Sequence, residues 1–284
     1  SDLKSLRYQL VGIALAFLPA ILILPQPDLG SVLVYLAFFL VMYREGLPSI
    51  YLILGFSFAL LFAISLLIPL LYVYLGLGTA GLLLIGLLRK KRRNVYRVIA
   101  TLILCAGFVQ SVDYSFSNLL EDRHRNRINI LLGKAEDPQG IGYNTHQSII
   151  AIGSGGLTGK GYLQGTQTKF DFVPEQTTDF IFCTVGEEWG LLGTSALVIL
   201  YCIFFIRLVV LAERQKSDFA RIYGYSVVAI FFVHFGVNIA MTIGLAPVIG
   251  IPLPFLSYGG SSLWGFTLLL AIFIRLDAHR HQYW

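Results

Sequence analysis

The segment FDFVPEQTTDFIFCTVGEEWG, residues 170–190, gathers carboxylates at spacings suited to acid–base work. Glu175 and Asp179 are four residues apart, one helical turn if a helix starts near Pro174, and Asp171 lies further back. Thr178 is a plausible N-cap for a helix that Asp179 begins. Two readings fit Asp179: a helix N-terminal acid favoured by the macrodipole, or a general base. The helix dipole would keep such a base ionised, and neighbouring carboxylates would push its pKa back up towards a useful range. Glu187 and Glu188 follow eight and nine residues after Asp179. At 1.5 Å per residue they sit roughly 12–14 Å along the helix, within hydrocarbon depth if it spans a membrane. Carboxylates at that depth face a cavity or a partner, and a structural hydrogen bond between helices is their simpler role.

A second stretch, SGGLTGKG, Ser154 to Gly161, resembles a phosphate loop. A Walker loop needs glycine five positions before Gly159 and Ser or Thr after Lys160, but Ser154 and Gly161 stand there. A dinucleotide motif starting at Gly153 needs glycine where Thr158 stands. Nucleotide binding is therefore excluded on both patterns. The five histidines show no metal-binding spacing, and Cys105, Cys183 and Cys202 lie unpaired in apolar segments, as small buried hydrophobes do.

The elements that must position these residues follow from composition. The 284 residues are 56% hydrophobic and only 13% charged, against about 25% charged in soluble domains, so the expected fold is all-α, a polytopic membrane helix bundle. Apolar runs suggest about eight spans, near 8–25, 29–43, 49–69, 71–88, 96–117, 179–206, 221–246 and 259–275. The net charge of +5 is loop charge and indicates no nucleic acid. Lys4, Arg7, Arg44, the run Arg89–Arg93, Arg207, Arg214, Lys216, Arg221, Arg275 and Arg280 then fall on one side, which the positive-inside rule makes cytoplasmic along with both ends. The exception is a long loop, 118–178, predicted to be extracytoplasmic and to lack strong helical periodicity. A loop this long is more often functional than connective.

Three features on that outer side are candidates to converge on one cavity. They are Asp28 in PQPDLGS, expected to N-cap the second span, the 118–178 loop with Asp179, and the irregular turn GIPLPFLSYGGSS, 250–262, with Ser257. His234, Asn238 and Thr242 form one polar stripe at spacings of four, which reads as interhelical hydrogen bonding.

The stretches GIGYNTHQSIIAIGSGGLTGKGYLQGTQTKFDFVPEQTTDFIF, QPDLGS and PLPFLSYGGSS resemble the SEDS family (shape, elongation, division and sporulation), and the elongation branch more than the division branch. The family's members are bacterial multi-span proteins that polymerise peptidoglycan from lipid II. The resemblance implies that Asp179, in its D-F-I-F context, is the catalytic base, with Thr178, Glu175, Asp171 and Glu187 supporting it. The family's usual histidine two residues before the aspartate is Thr177 here, and its usual Glu eight residues before is Asp171. Substrate contacts are expected from Arg123, Arg127, Gln147, Lys160, Gln167, Asp28 and Ser257, with Arg125 a further cation. The glycine stretch would let backbone amides and Lys160 approach a lipid-linked sugar diphosphate, or would simply make tight turns.

The resemblance further implies a bacterial cytoplasmic-membrane location with an extracytoplasmic active site. The expected partners are lipid II, lipid-linked glycan and a class B penicillin-binding protein, and a divalent cation, Mg or Mn, is a candidate cofactor. Against the family's layout, two spans at about 71–117 look inserted and N-terminal spans look absent, as in a truncated chain that could be inactive alone. Two rivals remain. A flippase or transporter would depend on Glu187, Glu188 and His234, whereas a non-catalytic scaffold for a transpeptidase would need none of the carboxylates.

Overall fold

A computed structural model describes residues 5–23, 25–26, 28–88, 92–119, 125–126, 128–129, 141–170 and 172–280. The described residues hold helices and turns and no strands. In chain order the helices are α1 (Leu6–Ile23), α2 (Leu29–Tyr35), α3 (Phe38–Arg44), α4 (Ser49–Leu67), α5 (Leu70–Leu88), α6 (Arg92–Tyr114), α7 (Ile141–Ser154), α8 (Thr166–Lys169), α9 (Ile181–Glu213), α10 (Asp218–Thr242) and α11 (Gly260–Ala278). Six of these, α4, α5, α6, α9, α10 and α11, are long and apolar enough to cross a membrane. The first two expected spans are shorter apolar helices, and the second is broken into α2 and α3 by a turn at Leu36 and Ala37.

The chain divides into two compact units, Ser49–Leu132 and the remainder. In the smaller unit α5 and α6 pack closely, with Leu102 against Gly81. Tyr74 donates to Gln110 Oε1 at 2.8 Å, and the rings of Phe58 and Phe108 meet edge to face at 4.9 Å. A π-helical turn, Ser115–Leu119, extends α6, and Arg125 donates to the Ser117 carbonyl at 3.2 Å.

The larger unit carries the carboxylates of interest. Its core is aromatic: Tyr201 and Phe205 of α9, Phe231 of α10 and Phe266 and Phe273 of α11 are all buried in one cluster. Gly224 lets α10 close on α11, since a Cβ there would lie 2.4 Å from Phe273. At the C-terminal end of α9 the helices are clamped by ion pairs: Arg44 with Glu213, Arg221 with Glu45, and Arg214 with Asp277. The carboxylates at the start of α9 lie at the opposite end of the helix. The 33 residues of α9 thus carry two chemically distinct ends of the unit.

The loop expected at 118–178 contains an unexpected element. Residues 141–154 form the 14-residue helix α7, which packs against α9 with Ser148 and Ala151 fully buried. Its apolar residues serve a second cluster, in which Ala151 meets Val173, Phe180 and Cys183. The segment is amphipathic, and its buried face meets α9.

Candidate active site

The glycine-rich loop docks on the first turns of α9, backbone against backbone. Lys160 N donates to the Glu187 carbonyl and Gly161 N to the Glu188 carbonyl, both at 3.0 Å. Leu191 N and Leu192 N donate in return to the carbonyls of Gly156 and Leu157 at 2.9 and 3.1 Å. These bonds hold α9 open at Gly190, whose φ of 62° and ψ of −157° interrupt the helix. The approach requires glycine: a Cβ on Gly155 would lie 2.0 Å from the Gly186 carbonyl oxygen, and one on Gly159 would lie 2.1 Å from that of Glu188. The backbone amides of Lys160 and Gly161 are thus spent on α9, and the tight-turn reading accounts for these glycines.

Lys160 also has a partner. Glu187 is fully buried, and its carboxylate accepts from Lys160 Nζ at 2.7 Å, Thr166 Oγ1 at 3.3 Å, Gln167 N at 2.9 Å and Thr168 N at 2.9 Å. A buried charge with four donors is a satisfied structural anchor. The expected diphosphate contact from Lys160 is replaced by this pair, which holds α8 to α9.

Asp179 precedes the helix rather than beginning it. Residues 174–180 are turns, α9 starts at Ile181, and its N-cap is Phe180 without a side-chain bond. The N-cap role assigned to Thr178 is therefore incorrect: its hydroxyl donates to Glu175 Oε2 at 2.9 Å, and the Glu175 carbonyl accepts from Phe180 N at 3.0 Å. Asp179 is fixed through its backbone, its carbonyl accepting from Asn238 Nδ2 of α10 at 2.7 Å. The same Nδ2 donates to the Ile251 carbonyl at 2.7 Å. Beside Ile251, Gly250, at φ +78°, faces the carboxylate; a Cβ there would lie 3.4 Å from Asp179 Oδ2. The Asp179 carboxylate is half-buried and accepts no hydrogen bond from any described residue. Burial first, and the Glu175 carboxylate second, raise its pKa above the ordinary aspartate value.

The turn after α10 is sewn to the same place. Ser257 Oγ donates to the Thr178 carbonyl at 2.6 Å and accepts from Leu253 N at 2.7 Å, while Tyr258 N donates to the Thr177 carbonyl at 2.8 Å. Ser257 is buried, and its hydroxyl serves this turn instead of projecting as a substrate contact. Asp28 caps α2, as expected, with Oδ1 on Ser31 N at 3.0 Å and Oδ2 on Ser31 Oγ at 2.6 Å. Those bonds hold its pKa below the usual value. The start of α2 reaches the same turn: a Cβ on Gly30 would lie 3.1 Å from Ile251 Cγ1 and 3.3 Å from the Ile249 carbonyl oxygen. The Asp28 turn, through Gly30, and Asp179 thus each meet the backbone at 249–251.

Of the other residues expected to contact substrate, Gln147, on α7, is partly exposed and makes no hydrogen bond with a described residue. Gln167 is held by its backbone to Glu187, and its buried side-chain oxygen has no partner among the described residues. Arg123, Arg127 and Asp171 lie outside the described residues. In the polar stripe of α10, Asn238 and Thr242 are fully buried, and Ser148 Oγ donates to the Thr242 carbonyl at 2.9 Å. His234 Nδ1 meets the Ile230 carbonyl at 2.9 Å, and its ring packs on Phe266. Asn238 and Gly250 are the site residues that sequence reasoning did not select. Asn238 was visible only as one member of the stripe, and Gly250 only as the first residue of an irregular turn.

No three His, Cys, Asp or Glu side chains gather among the described residues. At the site the described carboxylates are Asp179 and Glu175, too few for a protein-only cage around a hard divalent cation. A cation here would need oxygens from the substrate as well.

Fold and site together define a polytopic helical membrane protein with a half-buried carboxylate, unpartnered among the described residues, where a helix start meets two turns. Residues 59–282 match the cell cycle protein family FTSW_RODA_SPOVE, and the chain belongs to that family. It is 34% identical to the peptidoglycan glycosyltransferase RodA of Treponema pallidum (strain Nichols), over 96% of this chain and 68% of that protein. It is 35% identical to the peptidoglycan glycosyltransferase MrdB of Escherichia coli (strain K12), over 98% of this chain and 62% of that protein. A probable peptidoglycan glycosyltransferase FtsW of Geobacter metallireducens is 36% identical over 70% of this chain and 50% of that protein. The RodA and MrdB relatives thus match more of the chain, which spans about two thirds of their length. A solved structure described as "Structural coordination of polymerization and crosslinking by a peptidoglycan synthase complex" superposes with a TM-score of 0.64 at 25% identity, covering all of this chain and 65% of that one.

Proposed function

We propose that this chain is the catalytic portion of a peptidoglycan glycosyltransferase of the elongation type, which polymerises lipid II with Asp179 as general base. The observation that carries the reading is the Asp179 carboxylate, half-buried, unpartnered among the described residues and raised in pKa, beside the backbone of Gly250. Asp179 takes the proton of the acceptor sugar hydroxyl as that oxygen attacks the anomeric carbon of the lipid-linked donor. The bond from that carbon to the diphosphate oxygen breaks, and undecaprenyl diphosphate leaves with the bonding electrons. A base whose pKa is moved towards neutrality suits that proton transfer.

The leaving diphosphate needs positive charge. Because Lys160 is committed to Glu187, we assign that charge to a divalent cation, Mg or Mn, which oxygens of the substrate would help to hold. When bound, such a cation would supply electrostatic stabilisation to the departing phosphates.

The Asp179 end of the unit faces outward on this reading, and the ion-paired end of α9–α11 faces the cytoplasm, in line with the arginines concentrated there. A class B penicillin-binding protein is the proposed partner. The transporter reading is less well supported, because two of its three residues are already occupied: Glu187 by Lys160 and His234 by the Ile230 carbonyl.

The test is reconstitution of the full-length protein with its partner in liposomes carrying labelled lipid II, with glycan strands and transbilayer lipid II measured in parallel. Strand formation is expected. Translocation without strands would instead select the transporter.

A further inference from the structure

Two adjacent glutamates on α9 have opposite surroundings. Glu187 is saturated by four donors, as described above. Glu188 is 8% exposed, yet its carboxylate accepts no hydrogen bond from any described residue. It lines a cleft of about 330 Å³, together with Ile181 and Thr184, which lie seven and four residues before it. At 1.5 Å per residue this stripe runs roughly 10 Å down the helix. Thr177, two residues before Asp179, also lines the cleft, as does Leu163. So does Lys169, an exposed cation that pairs with no carboxylate among the described residues.

A carboxylate buried at membrane depth without a donor is costly, and such groups face a ligand path or a partner. Here no described residue supplies the partner, while Glu188 lines a cleft. The cleft carries aliphatic side chains from Leu163 and Ile181. Its charges are split, with the anion buried and the cation exposed. This arrangement complements a flexible aliphatic arm that ends in an ammonium and is attached to a group carrying a carboxylate. The ammonium meets Glu188 in a charge-assisted hydrogen bond, and the carboxylate meets Lys169.

We propose that the Glu188 cleft is a peptide subsite, which binds an amino-acid side chain ending in an ammonium on a segment that also bears a free carboxylate. That this segment is the peptide carried by the lipid-linked substrate rests on the polymerase reading; the subsite itself does not.

The test uses a short peptide with one lysine side chain and a free C-terminal carboxylate, alongside its Nε-acetylated and its C-terminally amidated forms. Binding of each to the full-length protein in nanodiscs is measured by titration calorimetry. The wild type is expected to bind the free peptide about tenfold more tightly than the acetylated one. Glu188→Gln is expected to erase that preference, and Lys169→Ala, at an exposed position, to erase the preference for the free carboxylate over the amide. Equal or undetectable binding of the free and acetylated peptides by the wild type would overturn the proposal, as would a preference that survives Glu188→Gln. Lipid II polymerisation measured on the same preparations separates the two readings. Strands without peptide discrimination leave the polymerase standing and remove the subsite, and discrimination without strands does the reverse.

Discussion

The side-chain amide of Asn238 donates 2.7 Å hydrogen bonds to the backbone carbonyls of both Asp179 and Ile251. One fully buried nitrogen thus ties the residue that carries the carboxylate to the turn that faces it. Asn238→Ala orphans both carbonyls, at about 1–3 kcal/mol each, and frees Asp179 to shift. A displacement of about 1 Å at a reacting group costs on the order of 100-fold in rate. Polymerisation kinetics of Asn238→Ala are expected to show kcat falling more than KM rises. A loss of thermal stability with an unchanged kcat would limit Asn238 to a structural role.

The Lys160–Glu187 pair gives an asymmetric expectation. Lys160→Met leaves a buried carboxylate without its counter-charge, a change worth about 3–5 kcal/mol. Glu187→Gln in the same chain removes that charge and is expected to recover part of the loss. Thermal unfolding of the two single variants and the double variant in detergent measures the coupling, and additive losses would show that the pair is not coupled.

Glycines in one loop are expected to differ sharply. Gly159, at φ +79°, has no room for a Cβ, which would lie 2.1 Å from the Glu188 carbonyl oxygen. Gly156, at φ +56°, has open space around it. Both alanine variants incur left-handed strain of about 1 kcal/mol, but Gly159→Ala must also move the loop off α9. Its unfolding temperature is expected to fall well below that of Gly156→Ala, and equal values would mean that the loop–helix docking contributes little.

Much of this arrangement is legible in the sequence. The long apolar runs show six of the expected spans because burial in lipid needs only length and composition, both local properties. The Asp28 cap is readable because Asp28 and Ser31 are three residues apart. The partners of Lys160 and of Asp179 are not readable. Glu187 lies 27 residues from Lys160, and Asn238 lies 59 residues from Asp179. The start of α9 falls two residues later than its sequence pattern suggests, because the 174–180 turns satisfy their own backbone through the Glu175 carbonyl. Helix α7 escapes a sequence reading, although its residues are amphipathic, because its 14 residues are too few for a span and the surrounding stretch is polar and glycine-rich.

The pH dependence follows from the sign of the Asp179 shift. A general base works only as the carboxylate, so the rate falls as pH drops through its pKa. Burial and Glu175 raise that pKa, so the acid limb of kcat/KM is expected above the ordinary aspartate value of about 3.9. Glu175→Gln removes the second cause and keeps the first. The limb is therefore expected to move to lower pH without returning fully to that value. An unmoved limb would mean that Glu175 does not act on Asp179.

The most direct measurement is the initial rate of glycan-strand formation from lipid II by the full-length protein with its partner, wild type against Asp179→Asn. The amide is nearly isosteric and cannot take the proton. With folding verified by an unchanged unfolding temperature, a loss of about 10²–10⁴-fold is expected. A folded Asp179→Asn variant that polymerises at the wild-type rate would contradict the assignment of Asp179 as the base.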